Sequence, residues 1–222
     1  SHMPQDAKVL DVGCGTGDNL RYILRDQAVF FGLEYAATTA EVARKILGKR
    51  ADVRVGSATE IPFDDNEFDL LLCIEVLEHI EKDYEGFREI ARVLKPGGAL
   101  ILSLPYRHWF PSYFSMMGHL RHYTRSDVEE MLLRAGLTIT DYLPNYPRWS
   151  RFANYVYVSC RMYAFLLRIC GVRRSPVEVA LPFSQRPLME IMFAMIEGVR
   201  GRERDQDYAR LETSTFIVAR KV

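Results

Sequence analysis

Short apolar runs alternate with amphipathic stretches along most of the chain. Five runs have the length and composition of buried strands, at residues 8–13, 29–34, 53–55, 68–73 and 99–104. The stretches between them predict helices at residues 19–25, at 38–48 and from Lys82 onward. Strands that alternate with helices of this length are typical of βαβ units. The pattern therefore predicts an α/β protein with a parallel sheet that helices cover on both faces.

Two more strands and a long segment of different character follow. Ser126, with Glu129 three residues later, predicts the capped start of a helix over 127–135. Apolar runs at 137–140 and 213–219 predict a sixth and a seventh strand. Residues 144–212 lie between them and are rich in proline and aromatic residues, and we interpret them as a helical insertion or substrate cover within a single domain of residues 4–222. Residues 1–3 are typical of a cleaved expression tag and are left out of that domain.

Composition narrows the classes of protein. The 222 residues are 48% hydrophobic and 26% charged, as in soluble globular proteins. The 29 lysines and arginines balance the 29 aspartates and glutamates, so the broad basic surface that binds nucleic-acid phosphates is missing, and we expect no nucleic-acid partner. The four cysteines form no C-x-x-C pair, which argues against a disulfide framework and favours a reducing compartment. We therefore expect a cytoplasmic protein.

A glycine-rich turn follows the first strand. Gly13, Gly15 and Gly17 have the spacing GxGxG, and glycines between a strand and a helix let the backbone approach an anionic ligand closely. The dinucleotide-binding pattern GxGxxG would need glycine where Asp18 stands, which argues against a nicotinamide-dependent oxidoreductase. Glu34 ends the second strand, where a carboxylate can accept hydrogen bonds from both hydroxyls of a ribose.

Four motifs in order carry a family resemblance: VLDVGCGTG at 9–17, IPF at 61–63, VLEH at 76–79 and LKPGG at 94–98. Together they resemble the class I S-adenosylmethionine-dependent methyltransferases, and the resemblance runs from Val9 to about Tyr142. It implies S-adenosyl-L-methionine as cofactor. It also implies a Rossmann-like, doubly wound sheet of seven strands, in which the last strand, at 213–219, is antiparallel to the rest.

The resemblance also implies a cofactor site at the carboxyl ends of the strands. Glu34 would hold the ribose hydroxyls, Asp11 would hydrogen-bond near the amino group of the cofactor, and Ser57 would border the adenine. The full set that it implies is Asp11, Gly13, Cys14, Gly15, Gly17, Glu34, Ser57, Ala58, Ile74 and Glu75. Many members carry aspartate where Ser57 stands and a further helix before the first strand. These two departures keep open a regulatory protein that binds the cofactor without catalysis.

Three histidines are candidates for the chemistry of the methyl acceptor. Methyl transfer depends mainly on holding a nucleophile in line with the methyl carbon, but a hydroxyl acceptor also benefits from a base, and histidine suits that role near neutral pH. We predict His79, His119 and His122 as catalytic residues, with local packing as the alternative for His79. The acceptor is then a small or lipid-linked molecule, methylated at oxygen. Asp64 and Asp65 are typical of a solvated turn, so we predict no metal.

The insertion contains two apolar stretches, at about 151–170 and 188–199. Asn154, Arg161 and Arg168 form a narrow polar stripe on the first stretch, and the second carries several methionines. The two predicted helices would pack on each other and the sheet. Alternatives are a hydrophobic acceptor pocket, a homodimer face, or peripheral contact with a membrane beside arginine-rich flanks.

Overall fold

The computed structural model describes residues 6–24, 28–106, 118–144 and 214–222. All of these residues belong to one compact unit, which spans residues 1–145 and 212–222. The described strands are β1 Ala7–Val12, β2 Ala28–Glu34, β3 Ala51–Val55, β4 Phe68–Ile74, β5 Leu94–Pro105, β6 Leu137–Pro144 and β7 Ser214–Lys221. The described helices are α1 Asp18–Ile23, α2 Ala37–Leu47, α3 Asp83–Val93 and α4 Arg125–Arg134, with short 3-10 turns at Gly48–Arg50 and Leu77–His79.

All seven strands join one sheet in the order β3-β2-β1-β4-β5-β7-β6. The pairs from β3 to β5 are parallel, whereas β7 is antiparallel to both β5 and β6. The predicted seven-stranded α/β sheet with an antiparallel last strand is confirmed. The chain runs outward from β1 to β3 and then returns to add β4 on the other side of β1. The loops after β1 and β4 therefore diverge, which creates the crevice where open α/β sheets bind ligands.

Alternate residues of β1 enter two separate apolar clusters. Leu10 and Val12 belong to a cluster that includes Phe87 of α3, while Val9 belongs to one that includes Ala43 of α2. Because successive side chains of a strand point to opposite faces, these helices cover opposite faces of the sheet. The central strand is thus buried on both sides, and its carboxyl end is a rigid support for the turn that follows it.

Helix α4 begins at a different residue from the predicted one. Thr124 is the N-cap: its side-chain oxygen accepts from the Asp127 N–H at 3.2 Å, and the Asp127 carboxylate accepts from the Thr124 N–H at 2.8 Å. These reciprocal bonds form a capping box, so the prediction of Ser126 as cap is wrong. Glu129, the predicted partner of that cap, instead accepts from Arg125 at 2.8 Å.

Strand β5 is longer than the predicted strand at 99–104, because the LKPGG motif at 94–98 is part of it. Phe68 pairs with Leu94 and Leu70 pairs with Ala99, so the additional residues of β5 bulge out of the ladder. Gly97, at φ +75°, lies in this bulge. The predicted insertion at 144–212 lies outside the described residues, apart from Pro144 at the end of β6. Within the described ranges, no helix is long and apolar enough to cross a membrane.

Candidate functional site

The glycine turn after β1 is fixed to the neighbouring strand. The N–H groups of Gly13 and Cys14 both donate to the Leu33 carbonyl of β2, at 2.8 and 3.0 Å. A Cβ on Gly13 would collide with Val76, which follows β4. Gly15, at φ +55°, faces open space instead, with no atom of the described residues within 4 Å of the position of a Cβ. The turn thus combines a closely packed base with a bare strip of backbone that a ligand can approach.

Glu34 lies directly beside this strip. One carboxylate oxygen accepts from the Gly15 N–H at 3.0 Å, and the other accepts from the Ala36 N–H at 2.9 Å. Each oxygen of a carboxylate has a second lone pair. The half-buried side chain can therefore hold the turn in place and still accept hydrogen bonds from two further hydroxyls.

Asp11 is the most deeply buried acid of the turn. Its side chain is 0% exposed, and neither carboxyl oxygen has a hydrogen bond of ordinary geometry within the described residues. Burial raises the pKa of Asp11 to about 7, the nearby Asn19 amide opposes this rise, and the charge of Glu34 adds to it. Buried polar groups are almost always paired. A cationic amino group bound in the turn would favour the ionised form of this carboxyl, so the residues fit an amino-acid-like ligand.

Cys14 contributes only its backbone to the turn. Its thiol is buried and packs where Gly32 leaves room, since a Cβ on Gly32 would lie 2.8 Å from the sulfur. Burial, together with the charges of Asp11 and Glu34, raises the pKa of the Cys14 thiol to about 12. The side chain is therefore an inert part of the core.

The loop after β3 comes to the same edge of the sheet. The Gly56 N–H donates to the Glu34 carbonyl at 3.1 Å, which ties the ends of β2 and β3 together. The Ser57 hydroxyl accepts from the Thr59 N–H at 3.1 Å and lies 2.7 Å from the Thr59 hydroxyl, and Ala58 is buried. Ser57 thus presents a neutral hydroxyl at this position, already engaged within its own loop.

Ile74 ends β4, and Glu75 follows it in an unusual backbone conformation. Glu75 has φ +54°, a region that non-glycine residues rarely adopt and that costs of order 1 kcal/mol or more. Its N–H donates to the Ser103 carbonyl at 3.0 Å, and its carboxylate accepts from the buried Ser103 hydroxyl at 2.6 Å. Burial raises the pKa of Glu75. The strand ends of β4 and β5 hold this acid in one position.

Two of the three predicted catalytic histidines, His79 and His119, lie beside a buried acid, Glu78, and the third, His122, contacts His119. The loop with His119 is held there by the Leu120 N–H, which donates to the Glu78 carbonyl at 2.8 Å. The Nε2 atoms of His79 and His119 lie 3.8 and 4.0 Å from Glu78 Oε1. Glu78 is 0% exposed, and within the described residues its carboxyl oxygens have no hydrogen bond of ordinary geometry. Burial raises its pKa to about 8, and the charge of Glu75 adds to the rise.

Backbone carbonyls determine which nitrogens of these histidines carry hydrogen. His79 Nδ1 lies 3.0 Å from the Gly118 carbonyl, and His122 Nδ1 lies 3.1 Å from the Tyr106 carbonyl. Carbonyls only accept, so both Nδ1 atoms carry hydrogen. His119 Nδ1 lies 2.8 Å from His122 Nε2, and in the neutral form of His122 it is His119 that donates. The neutral forms of His79 and His119 therefore have bare Nε2 atoms that face Glu78.

His119 stays neutral at physiological pH. Burial lowers the pKa of His119 to about 4, and repulsion from charge on His79 and His122 adds to this effect. Its side chain is 7% exposed. The sequence prediction missed Glu78 and Ser103 as members of the site. An acid within the apolar stretch before His79 was a signal for Glu78, whereas nothing in the local sequence marks Ser103.

Comparison with known proteins finds a family match that runs from β1 through the glycine turn into β5. The family described as "Methyltransferase domain" matches residues 10–102. A probable S-adenosylmethionine-dependent methyltransferase of Mycolicibacterium smegmatis is 31% identical over 147 residues, which cover 64% of this chain and 56% of that protein. The chloroplastic tocopherol O-methyltransferase of Arabidopsis thaliana is 34% identical over 105 residues, which cover 43% of this chain and 29% of that protein. The chain thus covers less than two thirds of the length of these relatives.

Other curated relatives are named for methylation at carbon, at nitrogen and of tRNA. Among solved structures, the phosphoethanolamine N-methyltransferase 2 of Haemonchus contortus, in complex with S-adenosyl-L-methionine, covers 100% of this chain and 50% of its own with a TM-score of 0.63. At 19% identity this likeness shows the fold alone.

Proposed function

The chain belongs to the class I S-adenosylmethionine-dependent methyltransferases, and from this premise we propose that it methylates a hydroxyl oxygen of a small or lipid-linked acceptor. The observation that carries the proposal is the pair of bare Nε2 atoms on His79 and His119, which face Glu78 beyond the end of β4. A neutral amine already has a free lone pair on nitrogen and does not need a proton acceptor before it attacks the methyl carbon. A hydroxyl does, because its oxygen becomes strongly nucleophilic only as it loses its proton.

We propose that the cofactor lies along the glycine turn. S-adenosyl-L-methionine, when bound, supplies an electrophilic methyl group. The bare backbone at Gly15 and the lone pairs of Glu34 would hold its ribose, and Asp11 would favour its amino group. We propose that the rest of the cofactor site is lined by further residues of the same strand ends and loops: Gly13, Cys14 through its backbone, Gly17, Ser57, Ala58, Ile74 and Glu75.

The turn and the histidines are coupled through one short segment. Val76 packs against Gly13 on one side, and three residues further on His79 meets His119 with ring centroids 4.9 Å apart. The methyl group of a cofactor bound at the turn would therefore lie on one side of the loop at 76–79, and the histidine that accepts a proton lies on the other side. Because burial holds the pKa of His119 at about 4, its Nε2 takes up the proton only transiently during methyl transfer, while Nδ1–H stays bound to His122 and orients the ring.

The class of acceptor is supported less directly. The net charge of zero gives no preference for a polyanion, and one relative is named for methylating tocopherol, a lipid, at oxygen. Relatives named for carbon and nitrogen acceptors share the same domain. The acceptor atom must therefore be tested directly.

Titration calorimetry with S-adenosylhomocysteine tests the cofactor site. We expect micromolar binding, weakened at least tenfold, or by about 1.4 kcal/mol, in Glu34→Gln. Glu41→Gln, an exposed residue of α2, is the matched control and should bind like the wild-type chain. Equal affinities of all three proteins would contradict the assignment of Glu34.

Labelled cofactor tests the acceptor atom. Matched acceptors that carry the same isoprenoid tail and either a phenolic hydroxyl, an amine or a methyl ether would be compared. We expect label only on the hydroxyl compound, with kcat reduced at least tenfold in His119→Gln while the affinity for S-adenosylhomocysteine is retained. Label on the amine, or on carbon of the ether, would overturn oxygen methylation. Binding of cofactor without methylation of any compound would favour the regulatory alternative.

A further inference from the structure

We propose that Glu78, His79 and His119 form a binding site for a divalent first-row transition-metal ion. One donor atom from each of these residues lies within 4.8 Å of the others: a carboxylate oxygen and two imidazole nitrogens. Two histidines and one carboxylate are a donor set that such ions use in catalytic sites, where further positions stay open for a substrate. The proposal departs from the expectation of no metal, which rested on Asp64 and Asp65 alone.

The distances require only small adjustments. With metal–ligand bonds of about 2.0–2.1 Å, donors around a tetrahedral ion are roughly 3.3 Å apart. The separations of 3.8 and 4.0 Å from Glu78 Oε1 to the two Nε2 atoms exceed this by about half an ångström. Rotations of the two imidazole side chains can supply shifts of this size without moving the backbone.

The orientation of both imidazoles supports the site independently. Metal-bound histidines almost always donate their second ring N–H to a carbonyl, a carboxylate or another acceptor, and this bond fixes the ring. His79 does so to the Gly118 carbonyl and His119 to His122 Nε2. His122 is in turn held by the Tyr106 carbonyl. The bare nitrogens are therefore directed at Glu78 by partners on the far side of each ring.

Among the described residues, Glu78 lacks the hydrogen-bond donors that normally stabilise a buried structural carboxylate. Its side chain is fully buried, and in the described part of the chain its carboxyl lies beside the Glu75 carboxyl and two imidazoles, with no hydrogen bond of ordinary geometry. A single proton on Glu78 could be shared with only one of these three neighbours at a time. A cation satisfies all three donors together.

A bound ion would occupy both Nε2 lone pairs, so it would replace the two histidines as the group that prepares a hydroxyl for methylation, and this consequence alone rests on the proposed function. An ion with open positions lowers the pKa of a hydroxyl that it binds, which prepares an oxygen nucleophile. The binding site does not depend on the acceptor being a hydroxyl. Metal binding and methylation can therefore succeed or fail separately.

The test is titration of the chelator-treated chain with Zn²⁺ by calorimetry and with Co²⁺ by visible absorption. We expect one ion per chain, with cobalt bands of nitrogen and oxygen ligation and no thiolate charge-transfer band, which separates this site from cysteine ligation. His79→Gln and Glu78→Gln should each weaken binding at least tenfold. Glu41→Gln should leave it unchanged. His79 is 42% exposed, so its replacement should fold even where a change at Glu78 does not.

Two outcomes would overturn the proposal. One is no heat and no cobalt spectrum up to 100-fold excess of metal over folded wild-type chain. The other is binding that both variants retain at wild-type strength, which would assign the ion to a different site. Methylation of a hydroxyl that persists in excess chelator would reject the ion as part of the reaction. It would leave the proposed function in place, with His119 as a direct proton acceptor.

Discussion

Asp11 gives the sharpest physical prediction, because its burial couples stability to pH. The rise of its pKa from 3.8 to about 7 corresponds to about 4 kcal/mol, at 1.36 kcal/mol per pH unit. Well below pH 3.8 the carboxyl is protonated in both the folded and the unfolded chain, and its burial carries no ionisation cost. Well above pH 7 it is ionised in both, and the folded chain bears the full cost. Stability should therefore fall as the pH rises through this window.

Asp11→Asn isolates this effect, because asparagine has the same size and does not titrate. We expect the free energy of unfolding of the variant, minus that of the wild-type chain, to increase by about 2.5 kcal/mol between pH 5 and pH 8. Urea denaturation followed by circular dichroism at four pH values measures this difference. Asp141→Asn, exposed on β6, is the control and should give a flat difference.

If the free energies of unfolding of Asp11→Asn and the wild-type chain changed in parallel with pH, the ionisation cost of buried Asp11 would be refuted. Saturating S-adenosylhomocysteine provides a second check, because its amino group would favour ionised Asp11. The pH-dependent difference should then shrink. An unchanged difference in the presence of ligand would mean that the amino group binds elsewhere.

Two further predictions use matched pairs of variants. Gly15→Ala and Gly136→Ala both place a side chain at positive φ, with no atom of the described residues within 4 Å. Each should therefore lower the free energy of unfolding by about 1 kcal/mol, measured by denaturation. Only Gly15→Ala should also weaken S-adenosylhomocysteine binding at least tenfold in calorimetry. Equal affinities would show that the ligand does not approach Gly15. Thr124→Ala removes the cap of α4 and should lower the free energy of unfolding by about 1 kcal/mol, whereas Ser126→Ala should cost less than half as much. The reverse order would contradict the observed start of the helix.

Local sequence was sufficient where one short segment carries the structure. The apolar run of β1, followed by Gly13, Gly15 and Gly17, predicted both the strand and the turn, because strand periodicity and glycine spacing are properties of adjacent residues. The start of α4 could not be predicted in the same way. Thr124 and Ser126 are both good caps, and each has an acid three residues later, Asp127 and Glu129, so the local sequence does not decide between them.

The histidine site depends on contacts that no local pattern contains. His79 and His119 were individually visible, but the buried carboxyl between them becomes apparent only when the loop at 118–123 packs against the turn after β4. The positive φ of Glu75 and its bond to Ser103 likewise require β4 and β5 to be side by side. The family resemblance supplied the antiparallel direction of β7, whereas its position between β5 and β6 is seen only in the structure.

That position of β7 determines when the sheet can close during synthesis. Within the described sheet, β6 pairs with β7 alone, so it has no strand to join until the ribosome has added residues 145–213 and then β7 itself. Until that moment β5 presents an open edge, the kind of surface that recruits strands from other chains. The nascent chain should therefore be most prone to aggregate, and most dependent on chaperones, while 145–213 are being translated.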